Sequence, residues 1–179
     1  MNIANMTLID YEILVKNMAD RQTDDLVDND TVNHARILVS ELVNSAEKTI
    51  KLYTNSFCEK FYLDTNVKEA FTNAKKNNDV SLEIISENDI SSNEAYEEYK
   101  RIYETIRYKH YSEVISAKFN SNTVSLNNFM IIDDKGIRYE QEKKENICEN
   151  IEDIRARATF NRPNDVKPFV DAFNKIISS

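Results

Sequence analysis

Apolar residues recur every three or four positions in five stretches of the chain. This spacing places them along one face of a helix, so each stretch predicts an amphipathic helix. The predicted helices cover residues 8–18, a stretch from Thr31 to about Ala46, residues 67–74, a long stretch from Asn93 to Tyr111, and a last stretch that opens near 164–168. Threonine often caps a helix N-terminus, which supports the start of the second helix at Thr31.

Shorter stretches are continuously apolar or alternate apolar and polar residues, which are the patterns of buried and half-buried strands. The predicted strands cover residues 49–54, 80–85, 114–119, 128–133, 136–140 and 156–160. The charged stretch 141–154 is weakly patterned, which is typical of a surface loop or a short exposed helix. The alternation of helices and strands after residue 30 predicts an α/β domain with a mixed sheet flanked by helices.

The first thirty residues stand apart from this pattern. The helix at 8–18 is followed by the acidic stretch 20–30, for which we predict no regular structure. We therefore interpret residues 1–30 as a helical arm with an acidic linker and residues 31–179 as the domain. The apolar stripe of the arm either packs on the domain, which is the commoner outcome, or binds a second copy or another protein.

Composition narrows the classes of protein. With 23 Lys and Arg against 31 Asp and Glu, the net charge is −8, which disfavours a protein that coats duplex nucleic acid. A local basic groove stays open as an alternative. No apolar run approaches the roughly 20 residues that cross a bilayer, and the start of the chain lacks a secretory signal. We therefore expect a cytoplasmic protein without a membrane partner, and the Asn-rich, Gly-poor composition suggests a bacterial origin.

The sequence gives little support for a cofactor site or a metal site. The single glycine excludes glycine-rich phosphate-binding loops. Cys58 and Cys148 are ninety positions apart and lack metal-ligand spacing, so we interpret them as free thiols in a reducing compartment. Asp133 and Asp134 are adjacent in a predicted turn and point apart, whereas hard cations need converging oxygens. We therefore predict no metal and no cofactor.

Residues 127–140 read NNFMIIDDKGIRYE, and about fifteen residues later RATFNRP leads into the last predicted helix. This series of strand, acidic turn, strand, later strand and closing helix resembles the C-terminal part of a phospholipase D-like domain. In element order the resemblance covers residues 31–179, and it implies a fold similar to one half of a phospholipase D-like enzyme. The alternative is a hairpin in an unrelated α/β fold, because such turns are common hairpin chemistry.

The chain departs from the motif of that family at three positions. Asn128 stands where the family has its nucleophilic His, Met130 where it has a Lys, and Lys135 where the motif Asp would fall. In the family the imidazole attacks a phosphodiester and forms a phosphohistidine, while the Lys neutralises charge in the transition state. An amide is not a competent nucleophile and a thioether carries no positive charge. We therefore predict a vestigial cleft with no catalytic residue.

Arg138 and Glu140 lie one residue apart on a predicted strand, so both point to one face of the sheet. The resemblance implies that they line the vestigial cleft with Asn128, Met130 and Asn161. The alternative, which general grounds favour, is an exposed ion pair of little energetic value.

Five tyrosines fall between residues 96 and 111. Tyr96, Tyr99 and Tyr103 share a helical stripe, which suits either packing at the core boundary or a stacking platform for single-stranded nucleic acid. Because four glutamates lie on the same predicted helix, we favour packing. His34 and His110 begin no His-x-Lys motif, and we interpret both as packing or surface residues.

The function that these observations favour is that of a catalytically inactive phospholipase D-like protein, a pseudoenzyme acting as a binding or regulatory module. Because family members with a single half pair two copies, the resemblance implies a homodimer through the edge that bears Asn128. One alternative is a nuclease or phosphodiesterase with a non-standard site around Arg138, Glu140 and the acidic turn. Another is an inhibitor-type protein that binds a dedicated protein partner through residues 1–30.

Overall fold

The structure is a computed structural model, which describes residues 3, 6–113, 115–119, 122–140, 148 and 154–179, with residues 117–119 and 122–124 in backbone only. The helices are α1 (Leu8–Arg21), α2 (Val32–Asn44), α3 (Glu59–Tyr62), α4 (Thr65–Asn78), α5 (Glu94–Ile102) and α6 (Pro163–Ile177). The strands are β1 (Val27–Asn29), β2 (Thr49–Thr54), β3 (Ser81–Ser86), β4 (Ile106–His110), β5 (Ser116–Phe119), β6 (Asn122–Ser125), β7 (Phe129–Ile132), β8 (Gly136–Glu140) and β9 (Ala156–Thr159).

Seven of these strands form one sheet in the order β1-β9-β8-β7-β2-β3-β4. β2, β3 and β4 are parallel, and every other neighbouring pair in this sheet is antiparallel. β5 and β6 form a separate hairpin. The predicted mixed sheet flanked by helices is therefore confirmed.

The sheet is covered on both faces. Leu52 of β2 and Met130 of β7 face the larger core, which is built mainly with α1, α2, α4 and α5. Tyr53 and Phe129 alternate to the opposite face and pack against α6. Because neighbouring residues of a strand point to opposite faces, the continuously apolar sequence of β7 reflects burial on both sides.

The long helix predicted over Asn93–Tyr111 is wrong. α5 ends at Ile102, and Tyr103 has extended backbone angles before β4 begins at Ile106. The segment satisfies both periods, since Ile106, Tyr108 and His110 alternate as in a strand. The parallel pairing of β4 with β3 satisfies backbone groups that a continued helix would have left unpaired at the sheet edge.

The acidic stretch 20–30 contains β1, which pairs with β9 at the sheet edge, so it has regular structure where none was predicted. α1 packs against α2, and Tyr11 is fully buried. The ring of Tyr11 stacks on His34 with ring centroids 4.1 Å apart, and its hydroxyl donates to the Asp28 carbonyl at 3.0 Å. The apolar stripe of the arm thus lies on the domain.

The other predicted helices and strands agree with the observed ones within about four residues, whereas α3 and β6 were not predicted. Thr31 caps α2 as expected, because its hydroxyl oxygen accepts from the His34 amide at 3.2 Å. The prediction for 141–154 lies almost wholly outside the described residues. Over the described part of the chain, the structure contains no helix with the length and apolar character that a bilayer crossing requires.

Candidate binding cleft

The register of the central strands brings the candidate residues into two rows on the face covered by α2. Leu52 pairs with Met130, and Met130 pairs with Arg138. One step along the strands, the Glu140 amide donates to the Asn128 carbonyl at 2.9 Å. The site therefore lies where β2 and β8 end and β7 begins.

A cavity of about 40 Å³ opens over these rows. Leu52 and Met130 lie beneath it, Phe61 and Tyr62 close it from α3, and Cys58 lies at its wall. A water molecule needs roughly 10–15 Å³ of such volume, so the cavity has room for about three. It can hold water or a small chemical group, but not an extended polymer, without rearrangement.

Arg138 and Glu140 are buried in this site, with 7% and 8% of each residue exposed. Arg138 Nη1 lies 3.5 Å from Glu140 Oε1, and Arg138 Nε donates to Asn29 Oδ1 at 3.2 Å. Asn29 in turn donates to the Ile154 carbonyl at 2.7 Å. The pair is not the exposed ion pair that general grounds favoured, because β1 and the cover of α2 remove it from solvent.

Asn128 uses both ends of its amide. Its Nδ2 donates to Glu140 Oε2 at 2.8 Å, and its Oδ1 accepts from the Asn55 amide at 2.6 Å. Met130 is buried, with 2% exposed. At the two positions that would carry a nucleophile and a cation, the site thus holds a neutral amide already engaged in hydrogen bonds and an apolar thioether.

Burial dominates the electrostatics of the cavity wall. The pKa of the Tyr62 hydroxyl is raised because burial penalises the phenolate, although the Arg138 charge opposes this shift. Tyr62 therefore stays a neutral hydrogen-bonding group and is no proton acceptor at neutral pH.

Asn161 is not part of this site. It is exposed and follows β9, beside the turn between β7 and β8. Because β8 and β9 are antiparallel, Ile137 pairs with Thr159 while Glu140 pairs with Ala156. Asn161 therefore lies at the opposite end of β8 from Glu140, and the expectation that it joins the cleft is corrected.

The acidic turn also lies at that opposite end, about 13 Å from Glu140 by the rise of a strand. Asp133 and Asp134 have positive φ angles of 50° and 56°, and the Lys135 amide donates to the Ile132 carbonyl at 3.0 Å. The turn is thus of the primed type that suits a tight hairpin. The acidic turn therefore lies too far from Glu140 to form with it the non-standard catalytic site considered as an alternative.

The two turn carboxylates face different partners. Asp133 accepts from the backbone amides of Glu47, Lys48 and Thr49 at 2.8, 2.8 and 2.9 Å. Asp134 Oδ1 lies 2.6 Å from Lys51 Nζ. Within the described ranges, no group of three or more His, Cys, Asp and Glu side chains is placed to hold a metal ion.

The tyrosine stripe and the histidines have packing roles. Tyr99 and Tyr103 are buried, and their hydroxyls donate to the carbonyls of Tyr62 and Phe71 at 3.1 and 3.0 Å. The Nδ1 of His34 donates to Asp30 Oδ1 at 2.7 Å, and His110 contacts the Glu87 carbonyl from an exposed position. Neither histidine lines the cavity.

Sequence reasoning missed two features of the site. Asn29, which binds Arg138, comes from the stretch interpreted as a linker. Only knowledge that β1 pairs with β9 at the sheet edge could have placed Asn29 beside Arg138. Cys58 and Cys148 are free thiols as expected, but Cys148 Sγ lies 3.2 Å from Ser56 Oγ, two residues before Cys58 at the cavity wall. No spacing rule connects residues ninety positions apart.

No protein-family model matches the sequence. No curated protein matches it either.

The seven-stranded sheet and its flanking helices form a phospholipase D-like fold, as solved structures confirm. Nuc from Salmonella typhimurium, a phospholipase D family member, is similar with a TM-score of 0.56 and 16% identity over 84% of this chain and 93% of that one. NucT from Helicobacter pylori is similar with a TM-score of 0.57 and 12% identity over 87% and 98% of the two chains.

A third similar structure is TrmBL2, an archaeal chromatin protein described with a novel mode of DNA binding. Its TM-score is 0.57 with 14% identity, and the match covers 94% of this chain but 58% of that protein. This chain therefore spans little more than half of TrmBL2. At these identities the likenesses show the fold, which was predicted from residues 127–163.

Proposed function

We propose that this protein is a catalytically inactive phospholipase D-like module of the bacterial cytoplasm, whose cleft binds a ligand or partner group without hydrolysing a phosphodiester. The observation that carries the proposal is the state of Asn128. Its amide is hydrogen-bonded at both ends, to Glu140 and to the Asn55 backbone, where the family resemblance places the nucleophilic imidazole.

The charges around Asn128 support the same conclusion. A phosphoryl group gains most from uncompensated cationic groups that meet it in the transition state. Here the guanidinium of Arg138 lies beside the Glu140 carboxylate, and Met130 supplies no charge. The cleft therefore favours a neutral group over a dianion.

We further propose that two copies associate through the edge that bears Asn128. The resemblance to family members with a single half supports this arrangement, and so does the position of the cavity at the ends of β2 and β8. The homodimer would place two clefts side by side. Sedimentation equilibrium of the full chain, with an Asn55→Arg variant at that edge, measures the association, and a monomer at all concentrations would overturn it.

The test of catalytic silence is direct incubation. The purified full chain is mixed with single-stranded DNA, duplex DNA and bis(p-nitrophenyl) phosphate, each with and without divalent cations. We expect product formation no faster than in buffer. The matched variants are Glu140→Gln in the cleft and Glu97→Gln on the surface.

Turnover that disappears in Glu140→Gln and persists in Glu97→Gln would overturn the proposal in favour of the nuclease or phosphodiesterase. A phosphorylated side chain trapped by acid quench would overturn it as well, because it would identify a nucleophile that the site does not supply at Asn128.

A further inference from the structure

Cys58 lies at the wall of the cavity, and Cys148 lies beside Ser56, two residues before Cys58. Cys58 immediately precedes α3 and is buried, while Cys148 is partly exposed in the segment between β8 and β9. Cys148 Sγ lies 3.2 Å from Ser56 Oγ, and Cys148 packs against the core cluster that contains Cys58. A partly exposed thiol beside a buried one is the arrangement of an attacking and a resolving cysteine.

We propose that Cys58 and Cys148 are a redox pair that a peroxide converts into an intramolecular disulfide. This inference goes beyond the proposed function and does not depend on it. The Cys148 thiolate attacks the peroxide, so that an S–O bond forms and the O–O bond breaks, releasing water or an alcohol once the leaving oxygen is protonated. The Cys58 thiol then displaces water from the Cys148 sulfenic acid, forming the S–S bond.

The two electrons and the atoms of this reaction balance. Two thiols lose their hydrogens and two electrons, and one peroxide is reduced to two molecules of water, or to water and an alcohol. A dithiol such as dithiothreitol reverses the reaction by exchange. The peroxide is the sole oxidant required.

The surroundings of the sulfurs assign the roles. The hydrogen bond from Cys58 lowers the pKa of the Cys148 thiol, and a second hydrogen bond from Ser56 acts in the same direction against the effect of burial. The contact with Cys148 and burial raise the pKa of Cys58. Cys148 is therefore the thiolate that attacks, and Cys58 stays protonated until it resolves the sulfenic acid.

The disulfide would alter the cavity. A disulfide brings two sulfurs to about 2.05 Å, closer than hydrogen-bonded thiols. Since Cys58 lines the cavity with Phe61 and Tyr62, its sulfur moves relative to the wall when the bond forms. The bond also joins Cys58, which follows β2 in the sequence, to Cys148, which precedes β9. Oxidation thus changes the shape of the cleft without touching Arg138 or Glu140.

The experiment oxidises the full chain with a small excess of hydrogen peroxide after reduction and removal of the reductant. We expect both free thiols to disappear together, the intact mass to fall by two hydrogen atoms, and non-reducing peptide mapping to identify a 58–148 disulfide. Dithiothreitol should restore the original mass. A disulfide between two chains, or stable sulfinic acid on either cysteine without a 58–148 bond, would overturn the proposal.

Two serine variants test the assigned roles. Cys58→Ser should stop at a Cys148 sulfenic acid that dimedone traps, and Cys148→Ser should consume peroxide at least about tenfold more slowly, because the thiolate is lost. Equal rates in the two variants would contradict the assignment.

One measurement needs no variant. In the reduced wild-type chain, iodoacetamide should label Cys148 before Cys58. The labelling rate of Cys148 should reach half of its maximum at a pH below about 8.5, where an ordinary thiol ionises. Labelling of both cysteines at the same rate and at ordinary thiol pH would overturn the proposal even if a variant fails to fold.

Discussion

Asn128 donates a hydrogen bond of 2.8 Å to the carboxylate of Glu140, across the β7–β8 pair. A neutral amide thereby occupies one oxygen of a buried carboxylate whose other oxygen faces Arg138. The three side chains form a polar cluster inside an otherwise apolar cover. Their arrangement connects the stability of the central hairpin to the position that the resemblance assigns to catalysis.

The Arg138 and Glu140 pair should therefore matter for stability. Glu140→Gln removes the negative charge and leaves the Arg138 guanidinium buried without it, which costs about 3–5 kcal/mol of unfolding free energy. Urea unfolding followed by circular dichroism measures the loss. Glu97→Gln is the control, because its pair with Lys100 is exposed and should contribute less than about 1 kcal/mol.

A double variant separates charge from packing. Replacing the pair together, as Arg138→Met with Glu140→Leu, should recover most of the stability lost by Glu140→Gln, since neither charge then stays buried alone. If the double variant is less stable than Glu140→Gln, the hydrogen bonds to Asn29 and Asn128 outweigh the charges and the electrostatic explanation is wrong.

The turn carboxylates should differ in importance. Asp133→Asn keeps the left-handed backbone but places a donor group where the Glu47 amide now donates, and it should cost about 2 kcal/mol. Asp134→Asn loses an ion pair between the buried Lys51 and a half-exposed aspartate, but the amide oxygen of Asn still accepts from the Lys51 ammonium, so about 1 kcal/mol is expected. Thermal unfolding of both variants, compared at one pH, tests the order. A larger loss in Asp134→Asn would contradict it.

Removing residues 1–30 should destabilise the whole domain. The deletion removes β1 from β9, Asn29 from Arg138, and the ring of Tyr11 from the core. We expect aggregation or loss of cooperative unfolding, as judged by size-exclusion chromatography and urea titration.

The exposed face of α1 provides the matched control. Ile9 and Ile13 are 69% and 55% exposed, so Ile9→Ser with Ile13→Ser should change stability by less than about 1 kcal/mol. This double variant, not the deletion, tests whether α1 binds a dedicated protein partner. A deletion variant that unfolds as cooperatively as the full chain would show that residues 1–30 are an appended arm after all.

Ionisation of the buried tyrosines should unfold the protein at high pH. Burial raises the pKa of Tyr53, aided by its hydrogen bond to Glu87, and burial also raises the pKa of Tyr11 and Tyr103. Because these folded-state values exceed the unfolded value of about 10, their contribution to stability is complete below that pH and is lost as the pH rises above it.

Each such tyrosine lowers the free energy of unfolding by about 1.4 kcal/mol per pH unit above pH 10, until it ionises in the folded state. Tyrosinate absorbance and circular dichroism should therefore change together in an alkaline titration, and Tyr53→Phe should flatten the pH dependence. Full reversible ionisation of all tyrosines without loss of secondary structure would contradict the prediction.

The sequence predicted most elements because their apolar patterns have a single period. It failed over Tyr103–His110, where both periods fit and the free edge of β3 decides. It also placed Asn161 in the cleft, because element order does not reveal which end of an antiparallel pair a turn occupies. Partners brought by strand pairing, such as Asn29 beside Arg138, leave no local signal.

Asp133 fixes more than a turn. Its carboxylate binds the amides that lead into β2, so the hairpin of β7 and β8 is tied to its neighbour at a defined step. A slip of the hairpin by one residue along β2 would release this anchor and turn Arg138 and Glu140 to the other face of the sheet, into the apolar layer beneath α6. The misaligned hairpin would bury two charges among phenylalanines. The energetic cost of this burial favours the native strand register over the shifted one.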